Sequence, residues 1–396
     1  MQPYSRKHKI LKRLKRSLLF ITSFLLGAVL LLWITGNGYL LKGIKETYLV
    51  GRTGPGIYDS IVFPLRTAKH TNKPEQWPLR EQHAKLSAEE SSELAAIQTT
   101  SFLVIENGEI ILEEYFGEHT ASTRSNTFSA AKSFIGLSVG IAKDKGFISS
   151  FDDTISNYLP FEIRGAEQVT IRHLLAMSSD LNWSESGANP FSDNAKAYYG
   201  NTLSDVMEST SFGEKPGKNF NYSSGNSQLL GYILKEATGM KPTDFVEKYI
   251  WSKVSSENDL SWSLDDEGGM EKAFCCIYAT TRDYAKFGKL LLNEGKWGSE
   301  TLIDSSTLAE LTSPFSNETP QYGLHFWLLD DPEHPAFYAR GILGQYIIVI
   351  PSLEMVVVRT GHQRKEKYAR SKNDYKSLHP KDLFDYISIA KRLAKD

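Results

Sequence analysis

The 396-residue chain predicts an α+β body behind one membrane-spanning helix. Three observations carry that expectation. β-rich runs lie at both ends of the body, helical periodicity fills its middle, and an uncharged apolar stretch follows a basic N-terminus. Strands and helices segregated in this way imply an antiparallel sheet with helices packed on it, rather than a doubly wound sheet.

Residues 1–16 hold seven of the 45 Lys and Arg and no acid, leaving 38 basic groups against 47 acids in the remainder. An acidic body argues against a nucleic-acid partner. Residues 17–41 carry no charge, and the apolar heart, Leu18 to Ile34, is followed by Gly36-Asn37-Gly38. A bilayer needs about 20 mostly apolar residues, so the stretch is long enough to span it. The segment is long for a signal peptide and lacks an A-x-A-like cleavage site, which favours an uncleaved anchor. Positive charge before the span places the tail in the cytoplasm and the body in the periplasm or outside the cell. The organisation expected is a tail over 1–16, an anchor in the plasma or inner membrane over 17–41, a connector over 42–80 and one domain over 81–396.

Ser87 and Glu90 form a capping box before a short helix. Two β-rich runs, Ser101–Glu106 and Glu109–Phe116, flank Asn107-Gly108, a strong hairpin signal. A polar loop then meets an apolar-periodic run whose buried side is Phe134, Leu137, Ile141 and Ala142, with Gly146 as its stop. Thr170 caps the next helix, in which His173 beside leucines reads as structural. Residues 178–201 are irregular, polar and aromatic, a loop of the kind that is often functional. A Pro216-Gly217 turn leads to Tyr222, and a helix follows from Ser227 to Thr238. Cys275 and Cys276 read as small buried hydrophobes in a strand from Phe274 to Thr281, since neighbouring cysteines rarely bridge. Residues 283–293 are helical, Tyr346–Ile350 and Met355–Arg359 read as a hairpin, and Leu383–Ala394 as a closing amphipathic helix. The first hairpin and the last two strands are expected in one sheet.

The chemistry concentrates at Ser129-Ala130-Ala131-Lys132. Positions three apart share a helix face, so Lys132 stands one turn from Ser129. The loop-to-helix junction supplies free N–H groups and the positive end of the dipole, which favour developing negative charge. The spacing alone is weak: Ser388-Ile389-Ala390-Lys391 repeats it inside the last helix. Two later segments distinguish Ser129.

With them, the chain resembles the penicillin-recognising serine hydrolases, from class C β-lactamases and DD-peptidases to their esterase and 6-aminohexanoate-dimer hydrolase relatives. Ser129-Ala130-Ala131-Lys132 matches S-x-x-K, Tyr222-Ser223-Ser224 matches the Tyr-x-Asn/Ser box, and Gly341-Ile342-Leu343-Gly344-Gln345 resembles the final-strand segment. The resemblance covers roughly residues 80–394. It implies a β-lactamase/transpeptidase-like fold, an antiparallel sheet flanked by helices plus a helical subdomain. Ser129 is implied as nucleophile and Tyr222 as the group that protonates the leaving group and then activates the deacylating water. In a dry cleft the ammonium lowers the tyrosine pKa and burial lowers that of Lys132, so the pair titrates as a unit with neither as sole base. The N–H groups of Ser129 and Ile342 are implied as the oxyanion hole. Ser224, Trp183, Tyr198, Arg340, Gly341 and Gln345 are the expected substrate-binding residues.

The third box departs from the family's Lys/His-Thr/Ser-Gly: Ala339-Arg340-Gly341 stands there. Asp180 occupies a position where relatives often have Gly. These departures favour a small ester or amide as substrate over a β-lactam or peptidoglycan peptide, with a non-enzymatic cell-wall scaffold as the other alternative. No G-x-S-x-G, H-E-x-x-H or P-loop occurs. No metal and no cofactor are expected, and the sequence assigns no oligomeric state.

Overall fold

The computed structural model describes residues 3–81, 84–369, 371 and 374–394. Its helices are α1 (Pro3–Ile34), α2 (Tyr39–Glu46), α3 (Ala88–Ala96), α4 (Ala131–Asp144), α5 (Ile171–Leu175), α6 (Asp193–Tyr199), α7 (Leu203–Glu208), α8 (Ser224–Thr238), α9 (Pro242–Val246), α10 (Thr281–Leu292), α11 (Ser305–Leu311) and α12 (Lys381–Leu393). Its strands are β1 (Leu65–Ala68), β2 (Thr99–Glu106), β3 (Glu109–Tyr115), β4 (Ser125–Asn126), β5 (Leu260–Ser263), β6 (Ile277–Ala279), β7 (Lys296–Trp297), β8 (Glu300–Thr301), β9 (Trp327–Leu329), β10 (Ala336–Gly341), β11 (Gln345–Ile350) and β12 (Met355–Gly361).

A six-stranded antiparallel sheet in the order β3-β2-β12-β11-β10-β9 forms the backbone of the body. The β2–β3 turn is the expected one, with Asn107 and Gly108 both at positive φ. β12 pairs with β2 from Met355↔Glu106 onward, so the first and last strands of the body meet as expected. Side chains alternate across this sheet. Leu103, Ile105, Ile347, Val349, Val356 and Val358 join the core shared with α4, α8 and α10. Phe102, Val104, Ile348, Ile350 and Val357 face Leu383, Tyr386, Ile387 and Leu393 of α12. The result is a helix–sheet–helix sandwich, with a smaller sheet, β1-β5-β6-β4, beside it.

α4 departs from the one-sided pattern expected of it. Every residue from Ala131 to Ala142 is buried. It runs through the interior between the sheet and α8, and a helix enclosed on all sides has no solvent face to leave polar.

The expected strand over Phe274–Thr281 begins only at Ile277. Cys275 and Cys276 are joined to each other by a disulfide, and Cys276 takes a φ of 73°. The reading of two separate thiols in a strand is therefore corrected. The bond closes no loop, so it constrains only the local turn and supplies none of the stabilisation that comes from tying distant segments together.

α1 is largely exposed from His8 onward and is followed after four residues by α2, which packs on α6. The stretch read as a connector thus supplies a helix and, through β1, a strand paired with β5.

α10 lies on the sheet at closest approach around Gly288, where an added Cβ would stand 2.4 Å from Val356 Cγ1 and 3.1 Å from Ile347 Cγ2. Gly288→Ala is therefore expected to lower unfolding free energy by about 1–3 kcal/mol, as overpacking does. A urea titration with an unchanged m-value and a lower midpoint is the expected record.

Candidate active site

The nucleophile candidate is fixed from both sides. β4 pairs with β6, and the Tyr284 hydroxyl donates to Ser125 O at 2.5 Å. Asn126 Oδ1 then accepts from the Phe128 N–H at 2.7 Å. Phe128 has a φ of 46°, a costly conformation for a bulky residue that persists only where its surroundings enforce it. A 3-10 turn over Phe128–Ala130 carries Ser129 into the first turn before α4, with Ser129 half-buried at a cavity of about 610 Å³.

Lys132 is 1% exposed. Its Nζ donates to Ser129 Oγ at 3.2 Å, Ser224 Oγ at 3.2 Å and Phe274 O at 2.8 Å. Burial lowers its pKa to about 8, partly opposed by the Glu185 carboxylate. Desolvation penalises the charged form, so roughly a tenth of the amine is neutral at pH 7.

Glu185 was not anticipated. Its carboxylate accepts from Ser224 Oγ at 2.6 Å, the Ser224 N–H at 2.7 Å and Trp183 Nε1 at 2.8 Å. Ser224 opens α8, where free N–H groups suit a carboxylate. The Ser224 hydroxyl gives its proton to Glu185 and accepts from Lys132, so it orients the base as well as lining the cavity. The one sequence signal was an acid inside the irregular aromatic stretch from 178 to 201; nothing local marks it as a partner of residue 224.

Tyr222 completes the group. Lys132 Nζ lies 5.2 Å from the centre of its ring, and Tyr222 borders the same cavity as Ser129. Its ring stacks on Trp327 at 5.6 Å. The expected lowering of its pKa is not found. Burial, then Glu185, push the phenol well above its ordinary value, outweighing Arg340, Ser129 and Arg364, which act the other way. Burial thus moves the two groups in opposite senses, favouring the neutral amine and the neutral phenol.

β10 brings the third segment in. A Cβ on Gly341 would stand 2.1 Å from Thr127 O, so only glycine lets this strand approach the Ser129 loop. Gly341, Ile342, Tyr198 and Arg340 all border the cavity. Arg340 shares a strand face with Tyr338 and lies 3.5 Å from the centre of the Trp327 ring, an aromatic perch that turns it to the cavity. Two expected cavity residues stand elsewhere. Trp183 packs against Gly225 behind Glu185, and Gln345 is buried with its amide bonded to Ile342 O and Gly361. Asp180 takes a φ of 60°, and its side chain accepts from the Lys215 N–H. His173 caps its own helix through Thr170 and is structural, as expected. Among the described residues no cluster of His, Cys, Asp and Glu could hold a metal ion.

The sequence profile described as Beta-lactamase matches residues 88–381, and the chain belongs to that family, whose fold serves serine hydrolases, esterases and amidohydrolases. Two relatives show its range. The 6-aminohexanoate-dimer hydrolase of Paenarthrobacter ureafaciens is 24% identical over 66% of this chain and 72% of its own. Protein flp of Staphylococcus aureus (strain MW2) is 27% identical over 40% of this chain and 33% of its own. Among solved structures, a putative 6-aminohexanoate-dimer hydrolase from Bacillus anthracis superposes with a TM-score of 0.71 at 21% identity, covering 84% of this chain and 92% of its own. A family VIII carboxylesterase superposes with a TM-score of 0.58 at 17% identity, covering 79% and 99%.

The Lys132 environment is directly measurable. With lysine Cε labelled, Lys132 is expected to titrate near pH 8, far below the surface lysines. Glu185→Gln removes the charge that favours the ammonium, so its midpoint should move lower still. A midpoint unchanged or raised in that variant would contradict the electrostatics described here.

Proposed function

We propose that this protein is a membrane-anchored serine hydrolase that cleaves a carboxylic ester or small amide through an acyl-Ser129 intermediate. The observation that carries the reading is the 3.2 Å contact between a buried, readily deprotonated lysine and the Ser129 hydroxyl. A scaffold has no use for a desolvated ammonium held by three oxygens, an arrangement that costs stability.

The steps follow from the chain's own groups. Ser129 Oγ attacks the carbonyl carbon while its proton passes to neutral Lys132 Nζ. The oxyanion lies between the N–H groups of Ser129 and Ile342, each of the kind typically worth about 10²–10³ in rate. The tetrahedral species collapses, the bond to the leaving oxygen or nitrogen breaks, and the Tyr222 hydroxyl supplies the proton. Lys132 returns a proton to Tyr222. Water then attacks the acyl-serine, giving its proton to the same pair, and the acid departs as Ser129 regains its hydrogen. Glu185 acts through Ser224, holding Lys132 in line.

The substrate carries negative charge on this reading. Arg340 is 6% exposed, and its Nη1 has no hydrogen-bond partner among the described residues. Arg364 and Lys367 border the same cavity. Burial and the neighbouring arginines bring Lys367 to about 8 and pull Arg364 below its usual range. Three cations that repel one another are relieved by an anion, and a planar guanidinium suits a carboxylate. These residues take the place of the missing Lys/His and Thr/Ser of the third box.

Two experiments test the proposal. A fluorophosphonate should phosphonylate Ser129 with loss of fluoride and a nitrophenyl ester should acylate it, and Ser129→Ala should abolish labelling and cut turnover by about 10³-fold or more. Labelling that survives in the variant returns the scaffold reading. Arg340→Gln should raise the KM for an anionic hemisuccinate nitrophenyl ester about 10- to 100-fold relative to a neutral butyrate, the range of a lost charge-assisted bond. A chromogenic cephalosporin run beside them separates an esterase from a β-lactamase.

A further inference from the structure

We propose that the catalytic cavity opens onto the bilayer surface and takes a membrane-resident amphiphile, an ester or amide whose apolar chain lies between α2 and α6 with its carbonyl at Ser129. This deepens the hydrolase reading and rests on it and on the anchor. It enlarges the small substrate expected from sequence.

The wall of the cavity is built by the helix that leaves the membrane. His8–Ile34 is long and apolar enough to span and packs on nothing in the body. It is joined to α2 by Thr35–Gly38 alone, a turn tied down by Asn37 N donating to Leu32 O and the Thr35 hydroxyl donating to Leu31 O. α2 is held against the body. The Tyr39 hydroxyl donates to Pro190 O at 3.0 Å, Lys42 Nζ lies 4.3 Å from the centre of the Phe63 ring, and Gly43 abuts the Tyr199 ring. Eight residues at 1.5 Å per residue span about 12 Å, so everything α2 borders lies within roughly that distance of the headgroups. What it borders is the cavity that contains Ser129: Tyr39, Leu40, Gly43 and Ile44 are in its wall, with Thr47 and Tyr48 beyond.

The rim is apolar where water alone would favour polar groups. Ile44 and Tyr48 line the cavity and are also exposed, 44% and 67%. Leu49 and Val50 follow at 75% and 58%. An exposed apolar patch continuous with a spanning helix has the bilayer as its occupant. Tyr48 and Trp33, both exposed, supply the amphipathic rings that favour the interface. Across α2, the groove is completed by Tyr198, Tyr199 and Pro190, so a chain passing from the rim toward Ser129 meets aromatic and aliphatic surface.

The test uses the full chain in phosphatidylcholine vesicles, with nitrophenyl esters of increasing acyl length added as monomers to the aqueous phase. Referred to free ester in water, kcat/KM is expected to rise by up to about fourfold per added methylene until the groove is filled. Ile44→Glu with Tyr48→Glu should lower the ratio of long-chain to short-chain kcat/KM about tenfold or more, because the rim then offers the chain carboxylates in place of apolar surface. A second readout needs no turnover. A diazirine-bearing long-chain ester in vesicles holding the Ser129→Ala chain should cross-link to the peptides carrying Pro190 and Phe220, inside the cavity. A flat chain-length profile, or cross-links confined to α1, overturns the inference while leaving the hydrolase reading intact. Cavity cross-links with no acylation of Ser129 by any ester would instead remove the hydrolase reading and keep the membrane-facing site.

Discussion

A lysine ammonium taken out of water is the constraint around which this molecule is arranged. Lys132 is enclosed by α4, the start of α8 and the Phe274 segment, and its three donors meet a nucleophile hydroxyl, a serine hydroxyl and a backbone carbonyl. Enclosure lowers its pKa, and Glu185, one hydroxyl away, limits how far. The two effects together leave a group that gains and loses a proton near neutral pH. Tyr222 experiences the same dryness with the opposite consequence, because burial disfavours its charged form and that form is the phenolate. One environment therefore separates an acid from a base.

Precise approach of the backbone serves that pair. Gly341 lets β10 come against Thr127, and the strained Phe128 turns the next residue into the opening. The six-stranded sheet supplies β10, and the smaller sheet, through β4, supplies the segment that leads into Phe128. At the N-terminus, α2 follows the long apolar helix α1 and forms part of the cavity wall.

Much of this was legible in the residues. The Asn107-Gly108 hairpin, the capping box at Ser87, the cap at Thr170, and the strands around Pro351 are local signals, each set by a few neighbouring φ and ψ preferences, and each formed as expected. The ordered trio of Ser129, Lys132 and Tyr222 was legible because its members sit in recognisable local settings. Glu185 was not, since its partner Ser224 lies 39 residues away and no spacing rule connects them. Trp183 and Gln345 failed as cavity residues for a related reason. Their type suggested a pocket, but the side on which each side chain emerged was set by packing against Gly225 and by the amide bonds to Gly361. Cys275 and Cys276 showed the opposite limit: a rare local geometry, reached through the positive φ of Cys276, overrode the ordinary expectation for neighbours.

By itself the sequence determined the class of fold, an apolar segment long enough to span a membrane, and the motif residues Ser129, Lys132 and Tyr222, because periodicity, charge and motif order act over short stretches of chain. The tertiary structure alone decided that burial moves the lysine and the tyrosine in opposite senses, that Arg340 borders the cavity, and that α2 walls it. Those outcomes depend on how much water each group loses and on which distant surfaces meet. Burial and long-range contact are properties of the folded chain, and no residue carries them before it folds.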